Sequence, residues 1–494
     1  MNPLFIALHL ATLGLAQSIS SSSPTTTTSL SSVSDIATSS SVLSAQTPIT
    51  AYTSAQPTNT TQDLNPNDTS TETVHSQWSL FEPGASLPEA VFHVPTLEFK
   101  DPQGDEFTVS GVRPLVMAYY CGWLVDTLPP EQIDFSKYDI IDYAFVVLDA
   151  NYNLGFAGMS PDVLRRLVNS AHQHGTKVKV SIGGWTGSGY FSSAVSNVNN
   201  RLRLVQNIRE LYRSYNLDGI DIDWEYPGRS ANGGNQVSPS DSANFLEFLR
   251  LLRSALPKGA RITAAASPVT FAGPDGRPMK DVSGFAKVLD WVLIMNYDTW
   301  GTTSKPGPNA PLHDGCRNST QPASSAAAAF NAWTGAGFPA SQLALGLPSY
   351  GYISRSSVSQ LRGRDDETTP ATEQDMMSAG RSSANVRLKS DESGDQGSIS
   401  LRSMIQQGAL AQKGDEVVGA GGFKTYWDDC SGTPFLRSSS AKQVVPFDNA
   451  RSIGMKAAFV KKTGMRGVNF WDLHGDMIGY LLANAARKAL ELGS

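Results

Sequence analysis

Beyond residue 113 the chain alternates two hydrophobic patterns. Short apolar runs rich in β-branched and aromatic residues have the signature of buried strands. Eight such runs are found: Leu115–Trp123, Ile140–Asp149, Lys177–Gly184, Gly219–Tyr226, Arg261–Pro268, Trp291–Asp298, Leu343–Tyr350 and Gly467–Asp472. Most intervals between them carry a helical pattern, as in Pro161–His174, Leu204–Tyr215 and Ala243–Leu256. Met477–Leu492, after the last run, is amphipathic enough to be a closing helix. Eight strand–helix units predict an α/β chain folded as a (β/α)8 barrel of the TIM type, with its active site at the C-terminal ends of the strands. An open doubly wound sheet is the competing layout. It usually carries a glycine-rich phosphate loop after its first strand, and that loop is absent here.

One interval breaks the rhythm. Between Tyr352 and about Val445 the chain is polar and rich in Gly and Ser, and includes Asp365-Asp366-Glu367. This predicts an insertion over about 353–445, between strands seven and eight, as a small subdomain or a loop. Ahead of the barrel, Leu4–Ala16 is an apolar run shorter than the ~20 residues a membrane span needs. It ends in small residues, as a signal peptide over 1–16 would. Residues 17–75 are dominated by Ser and Thr with scattered Pro, too poor in apolar surface to offset ordering entropy. They read as a disordered, O-glycosylated stalk. Residues 76–113 form an irregular lead-in, and 114–490 the barrel. Sequons stand at Asn59, Asn67 and Asn318. The expected location is therefore outside the cell, free or at a wall. A net charge of −6 over 494 residues argues against nucleic acid or an anionic membrane as partner.

The fourth run carries the chemistry. It reads Asp218-Gly219-Ile220-Asp221-Ile222-Asp223-Trp224-Glu225-Tyr226-Pro227. Alternate strand residues face opposite sides. Asp221, Asp223 and Glu225 thus share the barrel interior, and Ile220, Ile222 and Trp224 face the helices. Burying three carboxylates is costly, and like charges along one face resist joint ionisation. At least one carboxyl is then pushed toward neutral pH, where a general acid works. Glu225 is placed at the mouth, Asp223 beside it and Asp221 deepest. Asp218 fixes the turn into the strand.

Asp218, Asp221, Asp223 and Glu225 resemble the DxxDxDxE signature of glycoside hydrolase family 18, and the Asp-Trp-Glu-Tyr-Pro ending resembles its chitinase branch of secreted, fungal type. Ser181-Ile182-Gly183-Gly184, Met295-Asn296-Tyr297-Asp298 and Trp471 resemble three further family motifs, in order, across roughly 114–490. The resemblance implies hydrolysis of β-1,4-linked N-acetylglucosamine polymers, chitin or its oligosaccharides. Glu225 would protonate the glycosidic oxygen, and the 2-acetamido carbonyl of the sugar would attack in place of a second carboxylate. Asp223 would hold the acetamido N–H, and Tyr297 its oxygen. Asp298 and Met295 would shape that pocket, Trp471 would floor it, and Tyr119 and Phe145 would wall it. Ser181 would hydrogen-bond the buried carboxylates, and Gly183 and Gly184 would leave room for the chain.

Bland readings stand beside these. Trp471, Phe145 and Met295 also read as ordinary core. Trp185, Trp300 and Trp427 lie past strand ends or in the insertion and are candidate platforms for sugar rings. His474 and Asp476 follow the eighth strand at the mouth and receive no role. No His/Cys cluster has metal-site spacing, so no metal and no cofactor are expected. The three cysteines allow one bridge. Cys316 lies in the loop after strand six and Cys430 in the insertion, on neighbouring loops of one barrel end, which predicts a Cys316–Cys430 disulfide and leaves Cys121 a buried thiol. Many family members wall a deep groove with the insertion. The weak patterning of 354–397 favours an open cleft and endo-type cutting. A monomer is expected. Two other functions share the motifs, a chitin-binding lectin without activity and an endo-β-N-acetylglucosaminidase acting on N-glycans. Glu225 speaks against the first, and the Trp224 and Tyr226 context against the second.

Overall fold

The computed structural model describes residues 113–229, 231–361, 372–373 and 385–493. The expected signal peptide (1–16), the stalk (17–75), nearly all of the lead-in, and the sequons at Asn59 and Asn67 lie outside them. Eight parallel strands form the core: β1 (Leu115–Cys121), β2 (Ile140–Leu148), β3 (Lys177–Gly183), β4 (Gly219–Asp223), β5 (Arg261–Ala266), β6 (Trp291–Ile294), β7 (Leu343–Pro348) and β8 (Gly467–Trp471). They pair in the order β1-β8-β7-β6-β5-β4-β3-β2, and β2 pairs back to β1, closing the (β/α)8 barrel that the hydrophobic alternation predicts.

Both faces of these strands are covered, so each reads as a near-continuous apolar run. On β4 the outward side chains Ile220 and Ile222, with Trp224 just beyond, are buried against the helix layer. The Trp224 indole stacks on Phe191 at 5.3 Å and meets Phe245 edge-on at 5.4 Å. Burying such a side chain stabilises the fold by about 1.5–3 kcal/mol and fixes which face of β4 turns inward. The inward face carries Asp221 and Asp223.

The surrounding helices begin where their caps dictate. In α1 (Pro161–Gln173) Pro161 takes the first position and the Ser160 hydroxyl accepts from the Asp162 N–H. Asn197 caps α2 (Val198–Ser214) in the same way, and α3 (Asp241–Ala255) and α4 (Ala326–Gly335) follow. Asn449 and Ser452 cap α5 (Ala450–Lys462) reciprocally. The closing helix α6 (Leu481–Ala489) starts later than the amphipathic pattern from Met477 predicts. Asp476 explains the delay: its carboxylate accepts the Leu482 and Ala483 N–H groups at 2.8 Å each, which sets the first turn there. Among the described residues no helix is long and apolar enough to cross a membrane.

The strands stop earlier at their C-terminal ends than the apolar runs predict. β4 ends at Asp223 and β6 at Ile294, so Glu225 and the Met295–Asp298 segment stand on turns just past the strands. The apolar character continues because these turns remain packed. Asp298 has φ +58°, which no strand residue adopts. The insertion begins at Tyr350, three residues before the predicted point. It is an antiparallel sheet of Gly397–Ser400, Tyr350–Arg355, Gln443–Pro446, Thr433–Ser438, Lys424–Asp428 and Thr372–Glu373, with a helix at Leu401–Gln406 and a hairpin of Leu410–Lys413 and Glu416–Gly419. Within 354–397 the described residues are strands at 354–355, 372–373 and 397 and irregular segments elsewhere, some of which are packed despite the weak patterning. Leu388 and Leu361 are buried, and Asp395 pairs with Arg355, Arg387 and Lys389 at 2.7, 3.2 and 2.5 Å. Cys316 and Cys430 are joined in a disulfide, with Cα atoms 5.1 Å apart, which ties the loop after β6 to the insertion; Cys121 is free and buried.

Candidate active site

The barrel interior is polar in two layers. At the lower layer Asp221 of β4 is 1 % exposed. Its Oδ2 accepts from the hydroxyls of Tyr119 (β1, 3.0 Å) and Ser181 (β3, 2.8 Å), and its Oδ1 from Thr263 (β5, 2.5 Å). Below it lies a buried ammonium. Lys179 Nζ sits 3.1 Å from Asp142 Oδ1 of β2 and 4.0 Å from Asp221 Oδ1. Asn469 of β8 donates to the other Asp142 oxygen at 2.9 Å. A buried carboxylate needs this density of donors to remain ionised.

The upper layer is built differently. Asp223 is 3 % exposed, and its Oδ1 is sealed from solvent with no hydrogen-bond partner. Burial, then the charges of Glu225, Asp221 and Asp142, hold its carboxyl well above the usual range. Glu225 follows on the turn. Ser188 Oγ accepts the Glu225 N–H at 3.0 Å and donates to the Asp223 carbonyl at 3.0 Å, while Asn235 donates to the Glu225 carbonyl at 3.1 Å. These bonds fix the side chain at the mouth. Burial pushes the Glu225 carboxyl up to about 8, with Asp298 adding to the rise and a hydrogen bond with Tyr226 opposing it. Burial, then Asp223, Asp298, Glu225 and Asp221, keep the Tyr297 hydroxyl protonated far above its ordinary range. The Asp298 carboxyl is raised by burial and held in place by the hydroxyls of Tyr350 and Tyr352, the second at 2.7 Å.

Aromatic rings line the adjoining wall. Trp471 lies edge-on to Tyr119 at 5.1 Å and stacks with Phe145 at 5.5 Å. Trp123, 39 % exposed, stacks on Phe145 at 6.0 Å. Two glycines permit this approach. A Cβ on Gly183 would stand 2.2 Å from the Asp223 carbonyl oxygen, and one on Gly184 would stand 2.8 Å from the Phe145 ring. Met295 is buried at the end of β6.

The fold thus brings together Tyr119, Phe145, Ser181, Gly184, Asp221, Asp223, Glu225, Tyr297, Asp298 and Trp471. Asp218 stands apart, at the opposite end of β4, where it accepts from the Val178 N–H and pairs with His172 and Lys177. Trp185 is partly exposed, and its carbonyl accepts from Asn232 and Asn235. Trp300 packs against Gly307 and borders a small pocket with His313 and Cys430. Trp427 is no sugar platform: it is 4 % exposed and covered by the Arg451 guanidinium, 3.9 Å above its ring. Asn318 is partly exposed next to the disulfide.

Several participants escaped the sequence reading. Asp142 and Lys179 interrupt apolar strands, and a charge inside such a run was the available signal. Tyr350 and Tyr352 were legible as an aromatic pair on one strand face. Sequence spacing also hid a trio that the barrel assembles: Cys121, Asp472 and His474 place one donor atom each within 4.8 Å of one another. They already satisfy each other in part. The Cys121 thiol donates to Asp472 at 3.3 Å, His474 Nδ1 lies 3.2 Å from Asp472, and burial holds the thiol well above its usual range.

Comparison with known proteins bears on this geometry. The model of the family described as glycosyl hydrolases family 18 matches residues 115–476. A chitinase-like effector of Moniliophthora roreri is 35% identical over 405 residues, 79% of this chain and 95% of that protein. Chitinase A1 of Niallia circulans is 30% identical over 315 residues, 61% of this chain and 40% of that longer protein. Among solved structures, a chitinase from Rhizomucor miehei superposes with a TM-score of 0.64 at 31% identity, over 76% of this chain and 99% of that one.

Proposed function

The chain belongs to glycosyl hydrolases family 18, and from that premise we propose that it hydrolyses chitin with retention of configuration, using Glu225 as general acid and then general base. One observation carries the reading. An acid pushed to about 8 follows, two residues on, a buried aspartate whose Oδ1 lacks a partner. Glu225, protonated at neutral pH, gives its proton to the glycosidic oxygen as the bond to the anomeric carbon breaks. The carbonyl oxygen of the sugar's own acetamido group closes on that carbon, forming a cationic oxazolinium. Asp223 takes the acetamido N–H with its free oxygen and faces the positive charge, while the Tyr297 hydroxyl donates to the acetamido oxygen. Glu225, now a carboxylate, removes a proton from the water that attacks the anomeric carbon, and the acetamide is restored. The Tyr119, Phe145 and Trp471 rings form an apolar surface for the sugar face.

Finer features follow the same reading. Trp185 and Trp300 extend the sugar-binding surface. The segment 1–16 directs secretion, 17–75 spaces the barrel from a wall or matrix, and Asn59, Asn67 and Asn318 carry glycans. The catalytic unit is a monomer.

The test is hydrolysis of a chitin oligomer by the wild-type chain and by Glu225→Gln. The reading requires cutting by the first and near-complete loss in the second with binding retained. Binding without cutting by both would point to a lectin. Release of glycans from a glycoprotein, with chitin untouched, would point to an N-glycan hydrolase.

A further inference from the structure

Lys179 is buried to 1 % exposure inside the barrel, and its ammonium has three close neighbours. One N–H faces Asp142 Oδ1 at 3.1 Å, one faces Thr263 Oγ1 at 2.6 Å, and the head group lies 4.7 Å from the centre of the Trp291 ring. The Thr263 contact has a direction. A hydroxyl owns one proton, and Thr263 spends it on Asp221 Oδ1 at 2.5 Å. It must therefore accept from Lys179. A relay runs from the ammonium through Thr263 to Asp221, and from there the same strand leads up to Asp223 and Glu225.

We infer that Lys179 is a positioning residue for the reaction: its charge, set against Asp142 and linked through Thr263 to Asp221, decides where the mobile proton of the carboxylate set resides and favours Asp223 and Glu225 at the rim. The inference rests on the hydrolase reading above. The groups that face Lys179 are Asp142 from β2, Asp221 from β4, Thr263 from β5 and Trp291 from β6. Asn469 from β8 and Tyr119 from β1 bind the two aspartates. Asp142 is the counterweight. Burial raises its own carboxyl to about 6, against the pull of Lys179, and its charge adds to the rise at Asp223. A second proton entering the set would cancel the anion that must face the oxazolinium. The acidic limb of the pH–rate profile therefore reports that second proton.

The two partners must then act with opposite sign. Lys179→Met removes a stabilising cation, so the carboxylates protonate more readily and the acidic limb of kcat moves up by about 1–3 pH units. Asp142→Asn keeps the shape and removes a repelling anion, so the limb moves down. The double variant returns it toward wild type. The basic limb stays in place in all three, and kcat changes more than KM. The measurement is the pH dependence of kcat and KM on a chito-oligosaccharide with the full chain. A ¹³C titration of the aspartate carboxyls reads the same displacements without turnover. Wild-type protein that fails to cut sinks the hydrolase reading, and the titration still decides the inference. If Lys179→Met does not fold, Asp142→Asn alone decides: an unmoved limb overturns the inference. Equal losses at every pH in both variants, with limbs unmoved, would mean a purely structural pair.

Discussion

Asp221 and Asp223 lie two residues apart on one face of one strand, yet their surroundings are opposite. Asp221 accepts three hydroxyl hydrogen bonds and has an ammonium 4.0 Å away. Asp223 has a buried Oδ1 with no partner and three carboxylates pressing on it. Both oxygens of Asp221 are satisfied, and one oxygen of Asp223 is not. A buried unsatisfied oxygen destabilises by about 1–3 kcal/mol. The fold tolerates this at the rim because a substrate amide can complete it there, whereas Asp221, deeper in the barrel, takes its donors from the neighbouring strands.

The largest effect that would test this contrast is at Glu225. Glu225→Gln should lower kcat by about 10²–10⁴-fold with oligosaccharide binding retained, measured by initial rates and calorimetry. Asp223→Asn comes next. The amide can still meet a substrate but carries no charge toward the oxazolinium, and kcat should fall by about 10²–10³-fold, with thermal stability equal to or above wild type. A stability loss would mean the rim oxygen is satisfied after all. The pH dependence is third. Glu225 must hold its proton to act as acid, and its carboxyl lies near 8, so kcat/KM should fall tenfold per pH unit above that value. The linkage has the matching sign. A carboxyl raised in the folded state favours folding most below its unfolded pKa, and that contribution is lost as pH rises through about 8. Smallest in turnover is a control outside the carboxylate set. Lys456 of α5 and Asp448, just ahead of its cap, form a buried pair at 2.6 Å. Lys456→Met should cost about 3–5 kcal/mol in denaturant unfolding and leave the kcat profile unmoved.

The strand–helix alternation carried the architecture, because parallel barrel strands are buried on both sides and announce themselves as apolar runs. It overshot at the C-terminal ends, where Glu225, Tyr226 and Asp298 leave strand geometry while staying packed. It underread the insertion, whose buried apolar pairs, such as Phe435–Leu436 and Val444–Val445, stand in strands of only six and four residues among polar neighbours. At the site, the spacing of Asp221, Asp223 and Glu225 was visible because all three sit on one short segment. Asp142, Lys179, Thr263 and Asn469 come from four other places on the barrel circle and meet only after closure. The Cys121, Asp472 and His474 trio was hidden for the same reason, with one member ending the first strand and two just past the last.

Tyr350 and Tyr352 bear on modularity. They open the first strand of the insertion, and their hydroxyls hold Asp298, which belongs to the barrel rim. The insertion is therefore no detachable ornament. A chimera that exchanged it with a cousin's at the visible end of β7 would discard both phenols and leave Asp298 loose. A splice placed after Arg355 would keep them, so the seam for recombination lies six residues inside the inserted sheet.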